Sequence, residues 1–92
     1  MTNLTGSAKQ IAWANKIRDE MIAKVVYWWQ GKADEFRSQP GAQELYDSVI
    51  TTIKAIPSAA WFIDNRAHGH NDMMRAIGAQ GLILGTIAKK DV

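Results

Sequence analysis

The sequence predicts an all-α fold, a compact bundle of three to four helices with a long N-terminal helix. Apolar residues recur at the spacing of an α-helix over most of the chain, and serines and prolines mark the ends of these stretches. The composition, 47% hydrophobic and 22% charged, is that of an ordinary globular protein. A chain of 92 residues supports one core, so we expect a single domain over residues 1–92 with a flexible N-terminus over residues 1–6.

The first predicted helix begins after Ser7, a residue type that favours the N-cap position. Its apolar face continues past Gly31, which predicts one helix over residues 8–37. A break or kink at Gly31 is the alternative, because a glycine inside a helix costs about 1 kcal/mol. Pro40 ends the element. The apolar face consists of Ile11, Ala14, Ile17, Met21, Ile22, Val25, Trp28, Trp29, Ala33 and Phe36.

Two further helices follow at proline-marked boundaries. The second, over residues 42–55, has the cleanest apolar stripe in the chain, and its short connection predicts antiparallel packing on the first. Ser58 then caps a short helix predicted over residues 59–66, in which Trp61 and its neighbours point in several directions.

A final helix is predicted over residues 72–88, capped by Asn71 or Asp72. It directs Met73, Ala76, Ile77, Ile83, Leu84 and Ile87 inward. Gly78, Gly81 and Gly85 line an adjacent strip. This strip either packs closely on the first two helices or contacts a second copy of the chain, and neither alternative is preferred.

Arg18 falls on the apolar face of the first helix, where a charge is costly unless it is paired. We predict a structural ion pair with Asp64, which follows the apolar residues of the short helix. The alternative is that Arg18 lines a pocket for an anion.

Trp13 lies at the edge of the apolar face, in line with Lys9, Lys16 and Lys24. Such a tryptophan packs against a neighbouring helix, anchors a protein interface, or stacks a nucleobase while the lysines bind phosphates. Tyr27 points outward and is a further interface candidate.

Trp28 and Trp29 both face the apolar side of the first helix, and we expect both in the core.

His68, His70 and Asp72 alternate along a predicted loop and are weak candidates for metal ligands. Three ligands this close, with no fourth elsewhere, do not make a convincing site. We therefore predict neither a metal nor another cofactor.

Several function classes are excluded or disfavoured. The chain has no cysteine, so disulfides and thiolate chemistry are excluded, and it shows no phosphate-binding loop or nucleophile motif. We expect a protein that is not an enzyme. The net charge of +2 permits contact with nucleic acid without arguing strongly for it. Without a signal-like or membrane-spanning segment, a cytoplasmic protein is expected.

Two segments of the chain resemble a family. Residues 6–18 match the pattern Gly-Ser-x-Lys-Gln-x-x-Trp-Ala-x-x-Ile-Arg, and residues 60–66 look like a downstream Ala-x-Trp-Ile-Asp-x-Arg segment. Both patterns resemble those of small, largely uncharacterised helical proteins of phages and other mobile bacterial elements. The resemblance covers about a fifth of the chain and implies a setting, not an activity.

These observations together lead to an expected function. We expect a small non-catalytic binding protein of phage or mobile-element type that acts on a host protein, with inhibition of a defence complex such as CRISPR as its concrete form. The alternative is a nucleic-acid-binding accessory protein that uses the lysines and Trp13. A metal-dependent factor that uses the histidine loop is the third.

Overall fold

The computed structural model describes residues 3–87, and the predicted all-α class is confirmed. The long helix α1 packs against α3 and α4, and α3 packs in turn against α5 and the one-turn helix α2. No helix within the described residues is long and apolar enough to cross a membrane. The helices of residues 3–87 are α1 (Ala8–Gln30), α2 (Asp34–Arg37), α3 (Ala42–Ala55), α4 (Ala59–Asp64) and α5 (His70–Leu84).

Helix α1 begins at the predicted cap. The Ser7 hydroxyl accepts a hydrogen bond from the backbone N–H of Gln10 at 3.2 Å, and the Gln10 side chain accepts one from the N–H of Ser7 at 3.0 Å. This reciprocal pair satisfies two N–H groups that the first turn of a helix leaves without partners.

The continuous helix predicted to residue 37 is wrong, and the alternative break at Gly31 is confirmed. Helix α1 ends at Gln30, and Ala33 is extended with ψ 153° before α2 begins. The apolar residues beyond the break still face the apolar side of α1, because the chain turns back toward α1 after Gly31. Phe36 thereby reaches the rings of Trp28 and Trp29, with centroid distances of 6.1 and 6.3 Å.

Helix α4 is shorter than predicted. The Ser58 hydroxyl accepts from the N–H of Trp61 at 3.2 Å, which confirms the predicted cap. The helix ends at Asp64, where the side chain of Asn65 donates to the Trp61 carbonyl at 2.8 Å.

Leu4 and Thr5 make defined contacts with the rest of the domain. The flexible N-terminus over residues 1–6 stays a prediction, and Met1 and Thr2 lie outside the described residues. Leu4 is 9% exposed and belongs to the core cluster. The N–H of Thr5 donates to the carbonyl of Pro57 at 2.8 Å, and its own carbonyl accepts from the N–H of Ala59 at 3.0 Å. These bonds fasten the start of the chain to the connection between α3 and α4.

Helix α5 differs from the prediction at both ends. It begins at His70 with Gly69 at the N-cap, so neither Asn71 nor Asp72 caps it. It ends at Leu84 because Gly85 adopts a left-handed conformation with φ 76°, which a glycine accepts at little cost.

The side chains near the end of α5 are only partly inward. Met73, Ile77 and Ile87 are buried as predicted, but Ile83 is 75% exposed and Leu84 is also exposed. Ile83 is exposed because it lies within α5 about 120° around the helix from Ile77, and Leu84 is the last residue of the helix.

The three glycines of the predicted strip lie in different surroundings. Gly81 is buried beside Ile87, which folds back over the helix, and the N–H groups of Thr86 and Ile87 donate to the Gly81 carbonyl at 3.0 and 3.2 Å. Gly85 forms the turn, and a Cβ at Gly78 would contact nothing within 4 Å. The close approach at Gly81 is therefore made by the chain's own Ile87. A contact between copies through Gly78, Gly81 and Gly85 stays a prediction.

Arg18 is buried, with 7% of its surface exposed, as its position on the apolar face implies. Its Nη2 donates to Oδ1 of Asn15, one turn earlier on the same helix, at 2.6 Å. Asp64 is exposed, whereas the sequence argument placed it among buried residues. The ion pair of Arg18 with Asp64 stays a prediction.

Substitution of Gly81 tests the folded-back C-terminal turn. A Cβ at residue 81 would lie 2.9 Å from Cβ of Ile87 and closer to the rest of that side chain. We expect Gly81→Ala to lower the free energy of unfolding by about 1–3 kcal/mol, because Ile87 has to leave its place. Thermal denaturation followed by circular dichroism measures the change.

Gly78→Ala is the matched control, because the added methyl group meets open space on the same helix. We expect it to raise the free energy of unfolding by up to about 1 kcal/mol. Equal effects of the two substitutions would contradict the close packing at Gly81.

Candidate binding surface

One side of α1 faces solvent along its whole length. Lys9, Trp13, Lys16, Lys24 and Tyr27 are all exposed, and we call this set the α1 surface. Spacings of three or four residues, or of two helical turns, place them on one face. From Lys9 to Tyr27 the surface is about 27 Å long.

Both aromatic residues of the α1 surface present much of their side chains to water. Trp13 is 47% exposed and Tyr27 is 80% exposed. The other three tryptophans of the chain are buried or half-buried. Exposed aromatic side chains are the type most often found as anchors of protein interfaces.

The charges of the α1 surface are not uniform. Glu20 lies on the same face, four residues from both Lys16 and Lys24. Of the ion pairs within residues 3–87, Arg37–Asp34 and Arg75–Asp72, neither involves the α1 surface. The three lysines therefore remain available to a partner.

Arg66 joins this surface from another part of the chain. Its Cζ lies 4.7 Å from the centre of the Trp13 ring, a cation–π contact between α1 and the segment that follows α4. Sequence analysis did not predict the role of Arg66, because no local pattern indicates that the segment after α4 lies against Trp13 of α1.

Trp28 and Trp29 belong to an aromatic cluster at the end of α1. Trp29 is buried, as predicted, and stacks on Tyr46 of α3 with a centroid distance of 4.6 Å and an interplanar angle of 10°. Trp28 is only half-buried. Nζ of Lys32 lies 5.2 Å from the ring centres of both Trp28 and Phe36. This cluster braces the turn from α1 into α2.

A small cavity and a surface groove lie beside the aromatic cluster. The cavity, of about 50 Å³, lies among apolar and aromatic side chains of α1 and α3 with Phe36 of α2 and Met74 of α5. The groove, of about 290 Å³, shares three of its residues with the cavity. Its lining is Phe36, Gln39, Pro40, Gly41, Ala42 and Leu45. The lining of the cavity is almost entirely apolar, whereas that of the groove is partly polar.

A second exposed apolar surface lies at the end of α5. It consists of Leu82, Ile83 and Leu84, and we call it the α5 patch. Sequence analysis did not predict it, because two of its residues were expected in the core.

The structure does not bring the three candidate metal ligands together. Nε2 of His68 bonds Oδ1 of Asn65 at 2.7 Å, the His70 ring lies against Trp28 at 5.5 Å, and Asp72 faces Arg75. Within residues 3–87 no group of three histidine, cysteine or acidic side chains is placed to hold a metal ion. His68, His70 and Asp72 therefore do not form a common group of metal ligands in this structure.

Comparison of the chain with protein-family models, with curated proteins and with solved structures finds no match.

Proposed function

We propose that this protein is a small non-catalytic binding protein that acts on a host protein through the α1 surface. We propose that a phage or another mobile element encodes it. The specific activity proposed is inhibition of a host defence complex such as CRISPR. The resemblance of residues 6–18 and 60–66 to proteins of such elements supports the setting. The cytoplasm is the proposed place of action, in keeping with a chain without cysteine.

The exposure of Trp13 and Tyr27 on one face of α1 is the observation that carries the proposal. The two residues are separated by fourteen positions, or about 21 Å of helix. Apolar residues of the opposite side of α1 form the core. Water-exposed aromatics on a rigid helix lose little conformational entropy on binding, which favours them as anchors.

The charge pattern favours a protein partner over nucleic acid. A strand of nucleic acid carries closely spaced phosphates, so a phosphate track along α1 would meet Glu20 between Lys16 and Lys24. A protein partner can place a basic or apolar group opposite Glu20.

A nucleic-acid-binding accessory protein is the second candidate. The lysines of the α1 surface and Arg66 surround a half-exposed Trp13, and cations around an aromatic ring are typical of single-strand binding.

Capture of partners from bacterial lysate, with and without nuclease treatment, tests the proposal. We expect the tagged protein to retain a stoichiometric host protein, and Trp13→Ala or Tyr27→Ala to weaken that binding about 30-fold, as loss of an interface anchor does. The retained protein is quantified by mass spectrometry.

Ile83→Ala is the matched control, because it shortens an exposed apolar side chain of the α5 patch. If the host protein is lost with Ile83→Ala but retained by the Trp13→Ala variant, the binding site is the α5 patch and not the α1 surface. Retention that vanishes with nuclease would favour nucleic acid.

Salt dependence separates the two candidates. Binding to phosphates through Lys9, Lys16, Lys24 and Arg66 would weaken roughly 50- to 150-fold between about 50 and 200 mM salt, because counterions are released. We expect the affinity for the captured protein to change much less. The affinity is measured at both salt concentrations, for the protein and for an oligothymidylate.

The variant with Lys9, Lys16 and Lys24 all changed to alanine completes this comparison. A modest loss of affinity is expected for a protein partner. A large loss, together with a flatter salt dependence, would instead identify a phosphate-binding surface.

A further inference from the structure

The contact between Trp13 and Arg66 forms a defined site within the larger α1 surface. Cζ of Arg66 lies 4.7 Å from the centre of the Trp13 ring, and both residues are exposed. Nη1 of Arg66 donates a hydrogen bond to the carbonyl of Ile63, in the last turn of α4. This bond holds the guanidinium against the indole before any partner arrives.

The guanidinium keeps binding capacity in this position. It has five N–H donors in one plane, and the bond to Ile63 uses one of them. A guanidinium over an aromatic face can still present a pair of donors at its edge to a carboxylate. Among the described residues, the ion pairs leave Arg66 without a carboxylate of its own.

Two lysines flank the site on α1. Lys9 precedes Trp13 by four residues and Lys16 follows it by three, so both lie next to the indole on the helix face. Both are exposed, and neither takes part in an ion pair within residues 3–87. Three cations therefore surround one exposed apolar ring, and a partner that combines carboxylates with apolar side chains is complementary to them.

We propose that Trp13 and Arg66 recognise an acidic segment of a partner protein. A carboxylate of the segment binds the edge of the Arg66 guanidinium, and a neighbouring apolar side chain packs on the exposed part of Trp13. The inference rests on the proposed function and deepens it by naming the chemistry of the partner.

A protein carboxylate fits this site better than a nucleic-acid strand does. Arg66 covers one side of the Trp13 ring, so that side is closed to a stacking base. The same cations attract phosphate, and binding to a nucleic-acid strand is therefore an outcome that the experiment distinguishes.

Direct binding of a synthetic peptide tests the inference. The probe is a labelled amphipathic peptide of glutamate and leucine, about 20 residues long so that it can form a helix. We expect it to bind the full chain in fluorescence anisotropy, and Arg66→Ala to weaken binding about tenfold, as loss of a charge-assisted hydrogen bond does. Arg66→Lys is expected to restore only part of the affinity, because lysine cannot form the paired contact.

Arg75→Ala is the matched control. Arg75 is an exposed arginine on α5 beside Asp72, so its removal changes the net charge equally without touching Trp13. We expect no change in peptide affinity. Circular dichroism of each variant establishes that the fold is retained, and Trp13→Ala provides a second variant of the same site.

Three results of the peptide experiment would overturn the inference. The first is that the glutamate peptide binds the Arg66→Ala variant as tightly as the wild type. The second is that it binds no better than a matched peptide with lysine in place of glutamate. The third is that an oligothymidylate of similar length binds more tightly than the glutamate peptide. A host protein retained through Trp13 but insensitive to Arg66→Ala would also overturn it while leaving the proposed function intact. Peptide binding that depends on Arg66, with no host protein retained from lysate, would support the site and reject the proposed function.

Discussion

Burial of one face of α1 is the constraint on which the rest of the structure depends. Ala14 and Val25, about three turns apart on this helix, are fully buried and belong to the same core as Ile53 of α3 and Phe62 of α4. A domain of this size has a small stability margin, and one long amphipathic helix supplies much of its core. The apolar face of α1 has to be covered along most of its length, so α3 and α4 both lie against it.

Both ends of the described chain are drawn into this arrangement. Thr5 bonds to Pro57 and Ala59 at one end, and Ile87 folds over Gly81 at the other. The Thr86 hydroxyl also lies 2.5 Å from that of Thr52, a fully buried residue of α3. These contacts add burial and hydrogen bonds that the helices alone do not supply.

The candidate site is a consequence of the same constraint. With one face of α1 in the core, the opposite face presents its lysines, Trp13 and Tyr27 to solvent. Packing of α4 on α1 then places Arg66 over the Trp13 ring. The site thus combines an exposed helix face, whose residues follow from helical periodicity, with Arg66, which the packing of α4 on α1 brings close. This packing explains why Trp13 and Arg66 are 53 positions apart in sequence.

The sequence alone determined the all-α class, the bounds of α3, the caps at Ser7 and Ser58, the burial of Arg18 and the position of Trp13 at the edge of the apolar face. Each of these follows from local periodicity or from side-chain bonding within a few residues. Only the tertiary structure decided where α1 and α5 end, that Leu4 is buried, that Ile83 is exposed and that Arg66 meets Trp13. The apolar pattern of a helix can continue in the sequence past the residue at which the chain turns. A contact between distant segments produces no repeating pattern in the sequence. The residues on the exposed face of α1 were therefore predictable, whereas the pairing that gives this face its specific chemistry was not.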